Sequence, residues 1–234
     1  MGQEMLNALT VVFYTRNRVD FLLNYSLKTL NETDGEFDVL ILEDDSEQKL
    51  RIHDTSWLRR PISICEIPAK SSCAHLWNMG MVLSKTRYTM LCNDDILFTS
   101  GWAKEVNGYI GSGYEYILLY QHGAFILDKR MVAKNLLYAD ERFGFGSHED
   151  CDLFLRGINC NAKIVNASDR QIIKHAFDGK AAGGGWAKTE NIAYYAKKWG
   201  TYAYSPYSQD YSLKKIADVD WCPSFTEKWK KEYP

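Results

Sequence analysis

The sequence has no long apolar run and no excess of one charge. Acidic and basic side chains nearly balance, with a formal net charge of −2 over 234 residues, so bulk electrostatics would not recruit nucleic acid. No stretch approaches the roughly 18 apolar residues of a membrane-spanning helix, and the first residues lack the basic and apolar regions of a signal peptide. We expect a protein with no transmembrane segment and no nucleic-acid partner.

Closely spaced cysteine pairs are also missing. The six cysteines stand at irregular intervals without a Cys-x-x-Cys pair, which argues against a structural zinc site. We expect reduced, mostly buried thiols and a cytoplasmic location. Apolar material, by contrast, is plentiful: 46% of the residues are hydrophobic, enough to bury a sizeable core.

Apolar β-type runs alternate with helical patterns in the first half of the chain. The runs at 8–15, 37–48 and 87–95 predict strands, and the spacing of apolar residues at 19–32 and 73–86 predicts helices. A strand, a helix and another strand in this order are typical of a βαβ unit on a parallel sheet.

The second half has a less regular order. It predicts one or two strands and a short helix at 115–132, a helix at 149–159, late strands at 162–167 and 170–176, and a helix at 189–200. The chain is therefore predicted to be an α/β protein with a central, mostly parallel mixed sheet flanked by helices.

No repeat or interdomain linker interrupts the first 200 residues, so 1–200 is predicted to be one domain. The remaining residues, 201–234, are aromatic and charged without a clear period. We expect this tail to pack on the same domain.

Three polar clusters follow the predicted strands, at 15–18, 43–46 and 93–95. In open α/β sheets, ligands bind outside the carboxyl ends of the strands. Asp94 and Asp95 are adjacent acids inside an apolar run, a costly arrangement unless a cation or hydrogen-bond donors compensate. Mg²⁺ or Mn²⁺ held together with a substrate's phosphates would do so, although acids at strand ends also serve merely to cap a turn or the next helix.

Two further segments carry candidate chemistry. Acids open the helix at 149–159, where they could cap its N-terminus or present a general base behind the Gly- and aromatic-rich run 143–146. His175 follows a β-type run, where a lone histidine is more often structural than a ligand. The glycine-rich segment after it ends in Trp186 and is either an active-site lid or a plain surface loop.

In this order, the motifs resemble GT-A-fold glycosyltransferases of the family 2 inverting group. The Phe-Gly-Phe-Gly run and the Lys-His pair also resemble β-1,4-galactosyltransferases. The sequence departs from the family pattern at Asn93, where the family has the first Asp of its Asp-x-Asp motif, and at 42–46, where a spacer is missing. The matching stretches are "YTRNR" (14–18), "LEDDS" (42–46), Asn78–Gly80, Asn93–Asp95, "ADERF" (139–143) and "EDCDLFLR" (149–156).

The resemblance implies a single GT-A-type, Rossmann-like domain and a role for each matching residue. Asp150 would be the catalytic base and Glu149 its supporting partner, while Asp95 and His175 would bind Mn²⁺ or Mg²⁺. The residues expected to bind the nucleotide sugar are Thr15, Arg18, Asp44, Asp45, Asn93, Asp94 and Trp186.

The implied activity is transfer of a sugar from a UDP-, GDP- or dTDP-type donor to a hydroxyl of a glycan or glycoconjugate. Peripheral contact with membrane-borne acceptors is left open.

A nucleotidyltransferase is one alternative, but it would carry a glycine-rich phosphate loop after the first strand, and "YTRNRVD" (14–20) has no glycine. A receiver-type signalling domain would leave 140–190 unexplained. Asn93 favours a third alternative, a non-catalytic nucleotide-sugar- or glycan-binding domain.

Overall fold

The structure is a computed structural model that describes residues 9–47, 49–120, 123–135, 137–144, 148–176 and 189–199. Trp186, the glycine-rich segment before it and the tail 201–234 lie outside these ranges, so the predictions for them stay predictions. Among the described residues, no helix is both long and apolar enough to cross a membrane.

The strands of the main sheet are β1 Leu9–Thr15, β2 Asp38–Asp44, β3 Ile62–Ile67, β4 Tyr88–Asn93, β6 Tyr116–Tyr120, β7 Ala124–Asp128 and β8 Ile164–Asn166. Within the described residues they form a seven-stranded mixed sheet in the order β3-β2-β1-β4-β7-β6-β8. The first four strands in this order run parallel, β7 is antiparallel to both neighbours, and β8 is parallel to β6. Two short strands, β5 Ile96–Phe98 and β9 Ile173–His175, form a separate antiparallel pair.

Helices cover both faces of the sheet. The first helical region has a π-helical middle, Leu22–Leu27, between two short α-helical pieces. Ser72 caps α3, because its hydroxyl accepts a hydrogen bond from the His75 backbone N–H. The α-helices are α1 Val19–Phe21, α2 Lys28–Asn31, α3 Cys73–Leu83, α4 Trp102–Gly111, α5 Lys129–Asn135, α6 Glu149–Asn159 and α7 Thr189–Trp199.

Two apolar clusters fill the space between the sheet and its helices. Since successive strand residues point to opposite faces, Val11 and Phe13 of β1 pack with α1, α2 and α4, while Val12 packs with α3, α5, α6 and α7. Helix α3 lies especially close to the sheet at Gly80: a Cβ there would be 2.9 Å from Val12 Cγ1.

The predicted fold class is confirmed, and so are the predicted strands and helices within the described residues. Among the strands and α-helices, three were missed: β3, β5 and α4. The reading of Asp94 and Asp95 as part of one buried strand was wrong, because β4 ends at Asn93 and both acids lie in a turn before β5. The turn also directs the chain out of the main sheet.

The five cysteines among the described residues are free thiols. Cys92 and Cys151 are buried and the other three are partly exposed. The predicted free thiols are therefore observed for these five, and the predicted burial for two of them.

Candidate active site

The carboxyl end of the sheet, where β1, β2 and β4 finish, gathers the three polar clusters. Strand β1 lies between the other two, with Thr15 opposite Glu43 and Tyr14 opposite Asn93. The clusters predicted from sequence therefore meet at one end of the sheet. Strand β1 separates β2 from β4, so Asp44 and Asp94 follow strands that are not direct neighbours.

Asp94 and Asp95 are both buried in the turn after β4. The Thr15 hydroxyl donates a hydrogen bond of 2.8 Å to Asp94 Oδ2. Arg18 bridges the two acids: its Nη1 is 3.2 Å from Asp94 Oδ1, and its Nη2 is 2.7 Å from Asp95 Oδ2. One guanidinium thus supplies much of the compensation that two adjacent buried carboxylates require.

The two acids differ in their pKa. Burial raises the pKa of Asp94 to about 7, and the neighbouring Asp95 adds to the rise, although Arg18 and the Thr15 hydroxyl oppose it. Burial also acts to raise the pKa of Asp95, but His175 and Arg18 outweigh that effect and lower it. Asp95 is therefore ionised to a greater extent than Asp94 at neutral pH.

His175 reaches Asp95 because β9 pairs with β5. In that pairing His175 lies opposite Ile96, and the Ala176 backbone N–H donates to the Asp95 carbonyl at 2.8 Å. His175 Nε2 is 3.0 Å from Asp95 Oδ1. The ring of Tyr120 stacks on the imidazole with 5.6 Å between centroids, which fixes the plane of the histidine ring.

Asp95 and His175 fit a divalent cation in part. Two atoms on neighbouring corners of an octahedral ion lie about 3 Å apart, the separation observed here. A Mg²⁺ site commonly takes only one or two protein carboxylates and completes its shell with water and substrate phosphate. Within the described residues, no group of three or more His, Cys, Asp or Glu side chains gathers around one point, so the remaining ligands of such an ion would come from substrate or solvent.

At the end of β2, the two candidate nucleotide-binding acids have different surroundings. Asp44 is buried, its Oδ2 pairs with Arg16 and its Oδ1 accepts from the Ser71 backbone N–H at 3.0 Å. Asp45 is exposed and has a φ of 44°. Asp45 is thus open to a ligand, while Asp44 holds Arg16 and the loop before α3.

The loops after β1 and β2 are tied to each other. The Asn17 backbone N–H donates to Ser46 Oγ at 3.0 Å, and the Glu47 N–H donates to Asn17 Oδ1 at 2.6 Å. Asn17 itself has a φ of 53°, a left-handed conformation that Asn and Asp tolerate better than other side-chain-bearing residues. These bonds hold Arg16 and Arg18 in fixed positions beside the acids.

The acids that open α6 approach the same end of the sheet. Burial strongly raises the pKa of the Cys73 thiol, and the neighbouring carboxylates of Glu149 and Asp150 raise it further, Glu149 through a hydrogen bond. Cys73 is the first residue of α3, which follows the loop held by Asp44. Both acids are buried, at the end of a helix where the dipole favours negative charge.

Tyr14 connects this region with the turn after β4. Its hydroxyl donates to Asn93 Oδ1. Burial raises its pKa well above the ordinary value, with smaller contributions from Cys73 and Glu149. Glu149 and Asn93 are therefore both close to Tyr14, so the start of α6 lies at the same end of the sheet as Asn93.

Asp152, the third acid of α6, has a structural role. Arg156 Nε donates to one of its oxygens at 2.8 Å, and Trp199 Nε1 donates to the other at 2.9 Å. Lys198 Nζ lies 2.7 Å from both Asp152 and Asp140. Asp152 thus anchors α7 on α6.

Solved structures share this architecture. No protein-family model and no curated protein matches the chain. S. aureus TarS 1-349 in complex with UDP-GlcNAc matches with a TM-score of 0.65 and 13% identity, over 96% of this chain and 71% of its own. The same TarS fragment with UDP gives a TM-score of 0.57 at 15% identity, over 69% and 58% of the two chains.

A third match is the mannosyltransferase PcManGT from Pyrobaculum calidifontis in complex with GDP-Man and Mn²⁺, with a TM-score of 0.57 and 12% identity over 68% of this chain and 54% of that one. This chain has their fold. The GT-A-type, Rossmann-like architecture predicted from sequence is thereby confirmed. The chain spans little more than half the length of two of these three matches, and at such low identity the likeness concerns the fold.

Four residues at the carboxyl end of the sheet were not predicted as site residues: Tyr14, Arg16, Cys73 and Tyr120. Arg16 stands in the "YTRNR" motif, so the sequence offered a signal, but only the register of β1 and β2 reveals that it pairs with Asp44. Tyr120 had no such signal, because its contact with His175 depends on the packing of β9 beside β6.

Proposed function

We propose that this chain is a glycosyltransferase that moves a hexosyl or related sugar from a nucleoside diphosphate donor to a hydroxyl of a glycan or glycoconjugate, with inversion and with a divalent cation. The observation that carries the proposal is the turn after β4. Two buried carboxylates, one bridging arginine and one histidine converge there, at the end of the sheet where α/β proteins bind ligands.

The donor would lie across this end of the sheet. Asp45, exposed at the end of β2, is positioned to accept hydrogen bonds from a base or ribose. Thr15, Arg18 and Asp94 would line the diphosphate side, with the Asn93 amide beside them. UDP, GDP and dTDP donors all satisfy this chemistry, and the matched proteins with UDP-GlcNAc and GDP-Man support the class of donor.

Inversion requires a proton acceptor on the side of the sugar opposite the leaving diphosphate. Asp150 is the candidate, since it opens α6 next to Cys73, while Glu149 holds the Cys73 thiol. Such a base removes the proton of the acceptor hydroxyl as the new glycosidic bond forms. General-base catalysis of this kind contributes about 10² to 10⁴ in rate.

The divalent cation would be held by Asp95 Oδ1 and His175 Nε2. When bound, Mn²⁺ or Mg²⁺ compensates the charge that develops on the departing diphosphate. Tyr120 keeps the imidazole in the plane that serves this contact, in the way that outer groups orient metal ligands elsewhere.

Replacing Asp150 by Asn tests the proposed base. We expect sugar transfer to fall by about 10² to 10⁴, because the amide cannot accept the proton, while UDP or GDP affinity measured by calorimetry stays within a few fold. The control is Asp169→Asn, an exposed acid outside the site. Transfer that survives in Asp150→Asn would reject the residue as the base.

A panel of nucleotide sugars with Mn²⁺ and Mg²⁺, read by thermal shift and by product analysis, separates the alternatives. A bound donor raises the unfolding temperature by mass action. Stabilisation with transfer or donor hydrolysis supports a transferase. Stabilisation without any turnover supports a binding domain. A parallel assay with a nucleoside triphosphate and a sugar 1-phosphate tests the nucleotidyltransferase alternative, which would form a nucleotide sugar and release pyrophosphate.

A further inference from the structure

Arg18 supplies the positive charge that the buried carboxylates of Asp94 and Asp95 need when no metal is bound. Its guanidinium faces both acids of the turn, through Nη1 to Asp94 and Nη2 to Asp95. The two carboxylates are almost fully buried, whereas 30% of the Arg18 side chain is exposed. Arg18 therefore forms the solvent-facing boundary of the acid pair.

The position of Arg18 is fixed from more than one side. Its guanidinium carbon lies 4.6 Å from the centre of the Phe21 ring, a cation–π contact that adds to the two ion pairs. A guanidinium carries five N–H donors. Within the described part of the chain, only two carboxylates pair with it, so N–H donors remain for the oxygens of a ligand.

Arg18 and a divalent cation would use different oxygens of Asp95. Arg18 pairs with Oδ2, while His175 lies next to Oδ1. The geometry allows both positive groups to be present together. Asn93 suits this arrangement, because its amide oxygen accepts from Tyr14 and adds no third negative charge that a metal alone would have to balance.

We propose that Arg18 is a built-in cation that binds the diphosphate of the donor directly, so that the site keeps affinity for nucleoside diphosphates in the absence of metal. Two phosphates add negative charge beside two carboxylates that Arg18 already pairs with, and the divalent cation on the other oxygen of Asp95 supplies the further positive charge that is then needed. This inference rests on the proposed function. It assigns the positive charge at the diphosphate site to Arg18, which is part of the chain, and to the divalent cation.

The test measures UDP and GDP affinity by calorimetry, once in EDTA and once in excess Mn²⁺, for wild type and Arg18→Gln. We expect wild type to bind in both conditions. The variant should lose at least about tenfold in EDTA, the value of a hydrogen bond to a charged group, and a smaller factor with Mn²⁺. Arg170→Gln, at an exposed arginine that is not one of the site residues, should leave both affinities unchanged.

Two further measurements keep the result interpretable. Mn²⁺ binding followed by electron paramagnetic resonance should be retained or strengthened in Arg18→Gln, because a positive charge next to the ion has been removed; loss of Mn²⁺ binding would count against separate positions for the two cations. Arg18→Lys keeps the charge but not the planar fork, so its loss in EDTA should lie between those of wild type and Gln.

The outcomes distinguish this inference from the proposed function. Wild type that binds only with Mn²⁺ overturns the role of Arg18 and leaves the transferase proposal standing. An equal loss with and without Mn²⁺ in Arg18→Gln also overturns it. If none of UDP, GDP, dTDP and their sugar conjugates binds in any condition, the proposed function itself fails.

Discussion

At the scale of single residues, ion pairs set the charge balance at the carboxyl end of the sheet. Arg16 pairs with Asp44, and Arg18 pairs with Asp94 and Asp95. The sequence predicts that these arginines and acids lie close together, because the arginines follow β1 and the acids follow β2 and β4, the strands on either side of it. It does not say which arginine takes which acid, because that depends on strand register and on the left-handed turn at Asn17.

A second charge centre, around Asp140, gives the fold a defined pH dependence. Burial alone would raise the pKa of Asp140, but Arg142, Lys198 and the Tyr194 hydroxyl hold it well below its ordinary value. A carboxyl whose pKa is lowered by folding stabilises the folded state at pH values above its unfolded pKa of about 3.9, and this contribution is lost as the pH falls.

Asp140→Asn should therefore lower the free energy of unfolding by about 3 kcal/mol at pH 7, the cost of removing one partner from a buried pair. The difference from wild type should shrink as the pH falls below about 4, where the unfolded chain's carboxyls become protonated. Urea unfolding at a series of pH values measures this difference in the free energy of unfolding, with Asp169→Asn, a change at an exposed acid, as the control. A difference that stays constant down to low pH would contradict the assignment.

At the scale of elements, the strands and helices with a clear apolar pattern were predicted from the sequence, and those without one were missed. Strand β2 is almost continuously buried and was plain from its apolar run. Strand β3 has mostly exposed or half-buried residues at the edge of the sheet, so its pattern carried little signal. Strand β5 has three residues and exists as a strand only through its pairing with β9, a contact between distant segments.

The packing of α3 on β1 gives an element-scale prediction. A Cβ at Gly80 would lie 2.9 Å from Val12 Cγ1 and 3.0 Å from Leu91 Cδ2, so Gly80→Ala forces α3 away from the sheet. We expect a loss of about 1 to 3 kcal/mol in the free energy of unfolding, the usual cost of overpacking.

Gly108→Ala is the matched control in α4. Nothing lies within 4 Å of a Cβ at this position, so the exchange should stabilise the protein by roughly 0.5 to 1 kcal/mol through the lower entropy of the unfolded chain. Chemical denaturation measures the change in the free energy of unfolding that each of the two variants causes. Equal effects in the two would mean that α3 does not pack as tightly as the structure indicates.

At the scale of the whole molecule, two places among the described residues can be compared as ligand sites. One is the carboxyl end of the sheet, with its acids, arginines and His175. The other is a cavity of about 460 Å³ at the opposite end, where β2 begins, bounded by 35–38 and 59–61. Arg60 of that cavity donates to the carbonyls of Leu30, Thr33 and Gly35, so its charge already serves the end of α2. The chemistry needed for a diphosphate lies at the carboxyl end.

An anomalous-difference map, recorded at the manganese absorption edge from crystals grown with Mn²⁺ and UDP or GDP, tests this account most directly. We predict a manganese peak in contact with Asp95 and His175, with nucleotide density along the carboxyl end of the sheet between Asp45 and Arg18. A manganese peak that touches neither residue, or nucleotide density in the cavity at the opposite end, would contradict the account.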